Sequence, residues 1–577
     1  MTSPVRRRSA AMLAALMLAI ALVVPAAATR PAAPGPYIDV QLLGFNDYHG
    51  HLEATTPGAV GATPAGGAEY LSSHLSALRS GNKYSLTVAA GDLIGGTPFL
   101  SGLFHDEPSV ESLNAMGLDV SSVGNHEFDE GVTELLRMQY GGCHPDDGCY
   151  FPDDPYAGAD FPWLAANVVN DETGETPLPP YWVTKVENIK IGFIGMTLEG
   201  TPALVAQSGI EGWSFEDEAD TANALVPVLK AQGVEAIVVL LHEGAEPTDI
   251  SDINACTGVS GPVLEIQSRL DPEIDAMVTG HTHLPYNCVL TDPAGDARRV
   301  TSAYSFGRVI TEIGLVIDKR TGEVVRDRVT ATNHVVDQAI APDPALTAVI
   351  NKWKPAADVI GNVEVGFATA DIKRGTTSTG GEDRGVESNL GNFIADVQLW
   401  ATSDNGADLA LMNPGGLRND LLAGPITYAE AFNVQPFSNL LSTIPMTGAQ
   451  IVSVLEEQCQ PIGVSRPFLH LGVSEGLTYD LAKTIVVTQT SPTTTRRDCT
   501  SVTVSNVELN GVPLDPAATY NVTANNFLID GGDNFLTFDE IDPSLRVGAG
   551  IDLDSLIAYL KEFSPVSPPG TDRVTEL

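Results

Sequence analysis

The sequence predicts an α/β protein built as two layered domains. Three observations carry this. From Tyr37 to about Asp337, short apolar, strand-like runs alternate with helical segments, the pattern of a layered α/β domain. Then comes one helical stretch, Pro344–Ile360, which contains Pro355 but no pattern of chemistry-bearing residues, as suits a connector. After Gly361 the composition shifts toward Thr, Asn and Gly and new strand-like runs appear. The expected layout is a leader over 1–28, a first domain over 37–340, a connector over 341–360 and a second domain over 361–577.

The elements follow in order. Arg6-Arg7-Arg8, the apolar run Ala10–Val24 and Ala26-Ala27-Ala28 are the basic, hydrophobic and small-residue parts of an export leader. The run is shorter than the ~18 residues of a spanning helix and meets Pro25, so cleavage is expected rather than anchoring. Strands are expected at Ile38–Phe45, Tyr84–Ala90, Val120–Val123, Ile237–Leu241 and Ile274–Val278. Helices are expected at Ala68–Arg79, Glu107–Met116, Glu130–Met138, Glu218–Ala231 and Pro262–Arg269. Residues 140–160, rich in Gly, Pro and Asp, read as a surface loop pinned by its own disulfide. In the second domain Thr484–Thr488 and Val502–Leu509 read as strands, and Lys373–Arg384 as a Gly/Thr/Ser-rich loop. With 577 residues, each domain is long enough to bury its own core, and no later stretch looks transmembrane.

All six cysteines fall after the leader, which in an exported chain reads as disulfides. Proximity favours Cys143–Cys149, Cys256–Cys288 and Cys459–Cys499. A metal role for Cys143, Cys149 and the enclosed His144 and Asp146 is the alternative, at a spacing that fits no usual zinc knuckle. The chain carries 73 Asp+Glu against 31 Lys+Arg. That balance argues against a nucleic-acid polymer or an anionic membrane surface as partner. It would also repel a small phosphorylated substrate unless local metals and arginines reverse the field.

Five short words then stand at the ends of the first domain's strands: Asp47-Tyr48-His49, Gly91-Asp92, Gly124-Asn125-His126-Glu127, His242 and Gly280-His281-Thr282-His283. They hold five of the 11 histidines. Oxygen and imidazole donors delivered at strand ends suit divalent metals such as Zn or Mn on a sheet rim. Two ions about 3.5–4 Å apart need a bridging oxygen ligand. Asp92 is the natural bridge. Asp47, His49 and one histidine of the Gly-His-Thr-His word complete one ion; Asn125, His242 and the other histidine complete the second.

Taken in order, these words resemble the calcineurin-like metallophosphatases. The resemblance implies a β-sandwich flanked by helices, with a dinuclear site on the sheet rim. It also implies a catalytic role for His126, with Asp129 as its orienter; a helix N-cap is the structural alternative for Asp129. Glu127 is expected to be a hydrogen-bonding partner rather than a ligand. His51, His74, His105, His144, His334 and His470 show no partnered pattern, and His51 alone is close enough to support the site.

The second half carries another ordered set: Arg384-x-x-Glu387-x-Asn389-Leu390-Gly391-Asn392, Asn413-Pro414-Gly415-Gly416-Leu417-Arg418, Gln435-Pro436-Phe437 and Asn526-Phe527-x-x-Asp530-Gly531-Gly532-Asp533. Arginines can hold a phosphate bidentately, phenylalanines can sandwich a flat base, and a carboxylate can accept from ribose hydroxyls. Together with the metal words, this set is similar to the 5′-nucleotidase family over about residues 37–565. The resemblance implies that Phe437 and Phe527 stack the base. Arg384 and Arg418 would meet phosphate or ribose, and Asn413 and Asp533 would contact base and ribose. It also implies a cleft between the domains and a hinge rotation at the connector. Gly-His-Thr-His has a second histidine where some members carry other residues, which bears on metal preference.

The sequence therefore reads as an exported, metal-dependent phosphohydrolase that removes phosphate from nucleoside 5′-monophosphates by attack of metal-activated water. Two divalent ions, Zn or Mn, are the expected cofactors and a nucleotide the expected partner. Three alternatives stay open: activity on 2′,3′-cyclic nucleotides, nucleotide sugars or dinucleotides; a sulfur-compound hydrolase; and a catalytically dead nucleotide-binding or adhesion protein.

Overall fold

A computed structural model describes residues 35–577 except 55–58, 207–208, 378–380, 438, 463, 465 and 492–493. The leader lies outside the described residues. Residues Tyr37–Leu577 form one compact unit. Within it the first half is a sandwich of two six-stranded sheets. One sheet runs, edge to edge, through Thr330–Val335, Val309–Asp318, Tyr37–Phe45, Ser85–Ala90, Val120–Ser122 and Trp163–Leu164. The other runs through Tyr286–Thr291, Ala297–Ser302, Ala276–Thr279, Ala236–His242, Ile189–Thr197 and Tyr181–Val186. Central pairings in both sheets are parallel; antiparallel strands close both edges of the second sheet and one edge of the first, whose other edge strand, Trp163–Leu164, pairs parallel.

Alternation builds the layers. Val40, Leu42, Val88 and Val120 from one sheet meet Ile191, Phe193, Val238 and Leu240 from the other in a shared core. Side chains on the opposite face of the second sheet, such as Val239 and Leu241, pack with Ala222, Val226 and Leu229 of the helix Glu218–Ala231. Leu43, Phe45 and Ala89 meet the helices Ala68–Ser80 and Glu107–Met116 on the outer face of the first. Because both faces of each sheet are covered, the strands read as near-continuous apolar runs. The parallel strands all end at one rim, which collects the residues that follow them.

The second half has a five-stranded sheet through Gly472–Val473, Leu409–Met412, Thr519–Asn525, Leu440–Thr447 and Val547–Ile551. A long hairpin, Leu477–Ser491 against Thr494–Leu509, extends well beyond the two short strands expected there. Its apolar face shares a core with the helix Gly448–Glu456. All three expected disulfides are formed: Cys143–Cys149, Cys256–Cys288 and Cys459–Cys499.

The helix Pro344–Gly361 is N-capped by Asp343, whose carboxylate accepts the Ala345 N–H. It is more than a tether. Trp353 is fully buried among Phe104, Tyr150 and Phe151, and its indole N–H donates to Glu111 Oε2 at 2.9 Å. Tyr150 and Phe151 belong to the loop after Cys149, so one indole fastens loop, helix and first-half surface together. Trp353→Ala is expected to lower unfolding free energy by about 3–5 kcal/mol, read from the denaturant midpoint with the slope unchanged.

Candidate metal and nucleotide site

The expected metal residues meet at the common rim. Asp47, His49, Asp92 and His283 each bring a ligand atom within 4.8 Å of the others, and Asp92, His242 and His281 do the same. Asp92 is common to both groups, as a bridge between two ions has to be. The second group takes in Asn125 as well, whose Oδ1 lies 3.1 Å from His281 Nδ1.

Local chemistry fixes which nitrogen each imidazole offers. His49 Nδ1–H donates to Gly95 O at 2.7 Å and His242 Nδ1–H to Ala90 O at 2.7 Å. In the neutral ring each Nε2 then carries a lone pair. These lone pairs turn toward carboxylates and one another. His49 Nε2 is 3.2 Å from His283 Nε2 and 3.5 Å from Asp92 Oδ2, and His283 Nε2 is 3.1 Å from Asp47 Oδ1. Buried His242 Nε2 is 2.9 Å from Asp92 Oδ2 without the alignment of a hydrogen bond. Acceptors crowded in this way fit divalent cations of the Zn or Mn class.

Burial drives His49 and His281 well below the ordinary histidine range, with Asp92 opposing in each case. For His242 burial also lowers, but the Asp92 carboxylate outweighs it and raises the imidazole to about 10. The backbone is strained at the same places. Asp47, His49, Asp92, His281 and His283 have φ between 44° and 72°, the left-handed region. Glycine makes the approach possible, since a Cβ on Gly91 would lie 2.6 Å from Gly124 N and 2.7 Å from His242 Nδ1.

Glu127 braces this arrangement. Its buried carboxylate accepts the N–H groups of Asp92 at 2.9 Å and Leu93 at 2.7 Å, and also that of Gly124. His126 N–H donates to Asp92 Oδ1 at 2.9 Å, and its ring Nδ1 lies 2.8 Å from Asp129 Oδ2. Burial disfavours the imidazolium, but the carboxylates of Asp129 and Asp92 prevail and raise His126 above the usual value. Asp129 thus spends its carboxylate on His126; the following helix, Gly131–Tyr140, has Glu130 at its N-cap, with no side-chain cap bond. His51 stacks on Phe306 with centroids 3.9 Å apart, and its Nδ1 contacts His49 O at 2.9 Å.

A cavity of about 750 Å³ opens in front of the rim. It is lined by Asp92, Asn125, His126, Asp129, His281 and His283, while Asp47, His49 and His242 lie buried behind them. Arg384, Asn413, Arg418, Phe437, Phe527 and Asp533 line the same cavity, so all six expected substrate residues share it with four of the seven expected metal residues. Phe437 lies parallel to the His126 ring, centroids 5.8 Å apart. A Cβ on Gly96 would lie 3.3 Å from the Phe437 ring and 3.4 Å from the Arg418 guanidinium. Asn413 Nδ2 donates to Asp533 Oδ2 at 2.9 Å, and Arg384 Nε to Glu382 Oε1 at 2.6 Å. Phe437 and Phe527 both line the cavity, and among the described residues no ring contact joins them.

Sequence reasoning missed Arg466. It lines the cavity beside Arg384, with the carboxylates of Glu382, Glu246 and Asp533 around it. Burial lowers Arg418 and Arg466 to about 10 each, which still leaves both charged at neutral pH. No motif surrounds Arg466; the one signal is its closeness to Cys459, which the disulfide pins. His105 and His144, which show no partnered pattern in the sequence, stack with ring centroids 3.8 Å apart within a group of carboxylates.

Comparison with known proteins agrees with the geometry. Residues 40–285 match the calcineurin-like phosphoesterase family, and residues 359–540 match the 5′-nucleotidase C-terminal domain. Endonuclease YhcR of Bacillus subtilis is 33% identical over 542 residues, 92% of this chain; the chain spans only 40% of that protein's length. Cell wall protein Lmo0130 of Listeria monocytogenes is 32% identical over 570 residues, 94% of this chain and 70% of that protein. Among solved structures, the 5′-nucleotidase precursor from Thermus thermophilus aligns with a TM-score of 0.73 at 26% identity, over 94% of this chain and 99% of that one.

Glu127→Ala removes one acceptor from three buried N–H groups. At about 1–3 kcal/mol per unsatisfied donor, the variant is expected to melt several degrees lower and to bind divalent metal more weakly, as calorimetric titration would show.

Proposed function

This chain belongs to the 5′-nucleotidase family of calcineurin-like phosphoesterases and is a phosphoester hydrolase, and we propose that it releases phosphate from nucleoside 5′-monophosphates outside the cytoplasm. One observation supports the reading: four of the expected metal residues, Asp92, Asn125, His281 and His283, and the six expected nucleoside-contact residues line one cavity. Its 750 Å³ lies in the size range of small-ligand pockets.

In this reading Asp47, His49, Asp92 and His283 hold one divalent ion, and Asp92, Asn125, His242 and His281 the other. Ions bound there supply Lewis-acid stabilisation of phosphoryl oxygens and lower the pKa of water. The chain's own groups do the rest. Phe437 and Phe527 take the base between them, Asn413 contacts its edge, and Asp533 keeps one carboxylate oxygen for the ribose. Arg384 and Arg418 neutralise the phosphate in a molecule of formal net charge −42. His126, oriented through Nδ1 by Asp129, is left with Nε2 to donate to a phosphoryl oxygen as charge develops. Export is supported by the leader, by three disulfides, and by the likeness to a cell wall protein.

Phosphate release from a nucleotide panel tests the reading. Activity on AMP or UMP with added Mn or Zn, abolished by chelator, is expected, and His126→Ala should lower kcat by about 10²–10⁴-fold. No release from any monophosphate by folded, metal-loaded protein would overturn it.

Arg466 favours a second reading, in which a dinucleotide or nucleotide sugar is also cleaved, its extra phosphoryl group meeting this third arginine. Arg466→Ala should then reduce kcat/KM on such substrates about 10–100-fold, the loss of a charged hydrogen bond, while changing AMP turnover little. Equal losses on both substrate classes would place Arg466 on the shared phosphate instead.

A further inference from the structure

Phe437 and Phe527 come from separate loops, and a base can stack between them only if their spacing is held. Phe437 stands just before the strand Leu440–Thr447, and Phe527 sits in the short helix Asn526–Ile529 that follows the strand Thr519–Asn525. The two strands are antiparallel neighbours, with Leu441 opposite Asn525 as their last pair. One residue further out, a side chain continues the ladder. The Leu440 N–H donates to Asn526 Oδ1 at 2.8 Å, so the residue before Phe527 grips the strand that follows Phe437.

The other side of that strand is gripped as well. Leu440 lies opposite Ile551, the last residue of the strand Val547–Ile551. Asp552 comes next and holds the Phe437 segment at both ends. Its backbone N–H donates to Asn439 O at 2.9 Å, and its Oδ2 accepts from Gln435 Nε2 at 3.3 Å. The Asn439 side chain bonds to the same carboxylate. Asp552 and Gln435 are both buried, and a buried carboxylate is costly unless it is hydrogen-bonded. Asp552 also opens the helix Asp552–Phe563, and its Oδ1 accepts the Leu553 N–H at 2.8 Å. A first-turn acid favours a helix, but Asp554 stands in the same turn. What Asp552 adds is its reach to Gln435 and Asn439.

We propose that Asn526 and Asp552 are positioning residues that fix Phe437 relative to Phe527 and so set how tightly the base is held. The proposal rests on the nucleoside-monophosphate reading given above. Asn526 lines the cavity, whereas Asp552 is buried outside its lining and acts through the Phe437 segment. A ring held in place before the base arrives spares the complex the entropy of ordering it.

The test compares AMP with ribose 5-phosphate, which has the phosphate and the ribose but no base, as substrate or as competitor of the full chain. Asn526→Ala and Asp552→Ala are each expected to raise KM for AMP about 5- to 50-fold, the scale of a base-stacking contact. The kcat and the affinity for ribose 5-phosphate should stay at the wild-type level. Asp552→Asn keeps an acceptor for the Leu553 N–H and can turn its amide to the unpartnered Gln435 Oε1, so it should recover most of the AMP affinity. Asn526→Ala, at a half-buried position, decides the matter if Asp552→Ala does not fold. Equal losses on AMP and ribose 5-phosphate, or an unmoved KM for AMP in folded variants, would overturn the proposal and leave the nucleotidase reading standing. A wild type that releases phosphate from no monophosphate would overturn both.

Discussion

Imidazole lone pairs and carboxylates pushed together at the end of a β-sandwich are the constraint on which the rest of this structure depends. His49 and His283 face each other nitrogen to nitrogen at 3.2 Å, with Asp92 and Asp47 alongside and little of the group exposed to solvent. Such a cluster needs a positive charge, a proton or a cation, to balance its carboxylates, and it is held by covalent and hydrogen-bonded scaffolding. The strands provide the stiffness. The carbonyls of Ala90 and Gly95 and the carboxylate of Glu127 provide the aim. Left-handed backbone at five of the seven expected ligand positions is the strain that this aim costs.

The two halves of the chain divide the work by charge. The first half gathers acceptors, and the second brings arginines to the same cavity. A protein with 73 acidic residues thereby keeps a cationic wall where an anion has to dwell. Glu382 beside Arg384 and Asp533 beside Asn413 hold parts of that wall in place, so it does not rest on long, free side chains. The relatives place the chain among phosphoester hydrolases, and the cavity gives the physical reason that a phosphorylated ligand suits it.

Much of this was legible in the sequence because it is local. The helices Glu107–Met116 and Glu218–Ala231 fall at their expected bounds, since each has a clear period and a start signal. The strand-end words were readable because apolar runs and polar words alternate at short range. What escaped depends on contacts distant in the chain. The pairing of two sheets into a sandwich came only through resemblance. Arg466 has no motif, and only the folded chain sets it beside Arg384. His105 and His144, 39 positions apart by their numbers, look like isolated surface histidines until a helix end and a disulfide loop bring them face to face. The long hairpin 477–509 read as two short strands because the polar, Thr-rich stretch at its far end gives no alternation to follow.

Gly96 has a meaning beyond the turn that it makes. The space above its Cα is narrower than a methyl group's ordinary reach to the Phe437 ring and the Arg418 guanidinium. That hydrogen atom is the gauge for how near Phe437 and Arg418 of the second half can come to this turn of the first. An alanine at this position would act as a doorstop. It would strain a backbone at φ 54° and stand the Arg418 guanidinium and the Phe437 ring off by a few tenths of an ångström. A glycine of the cavity wall therefore sets how closely one of its arginines and one of its aromatic rings can approach.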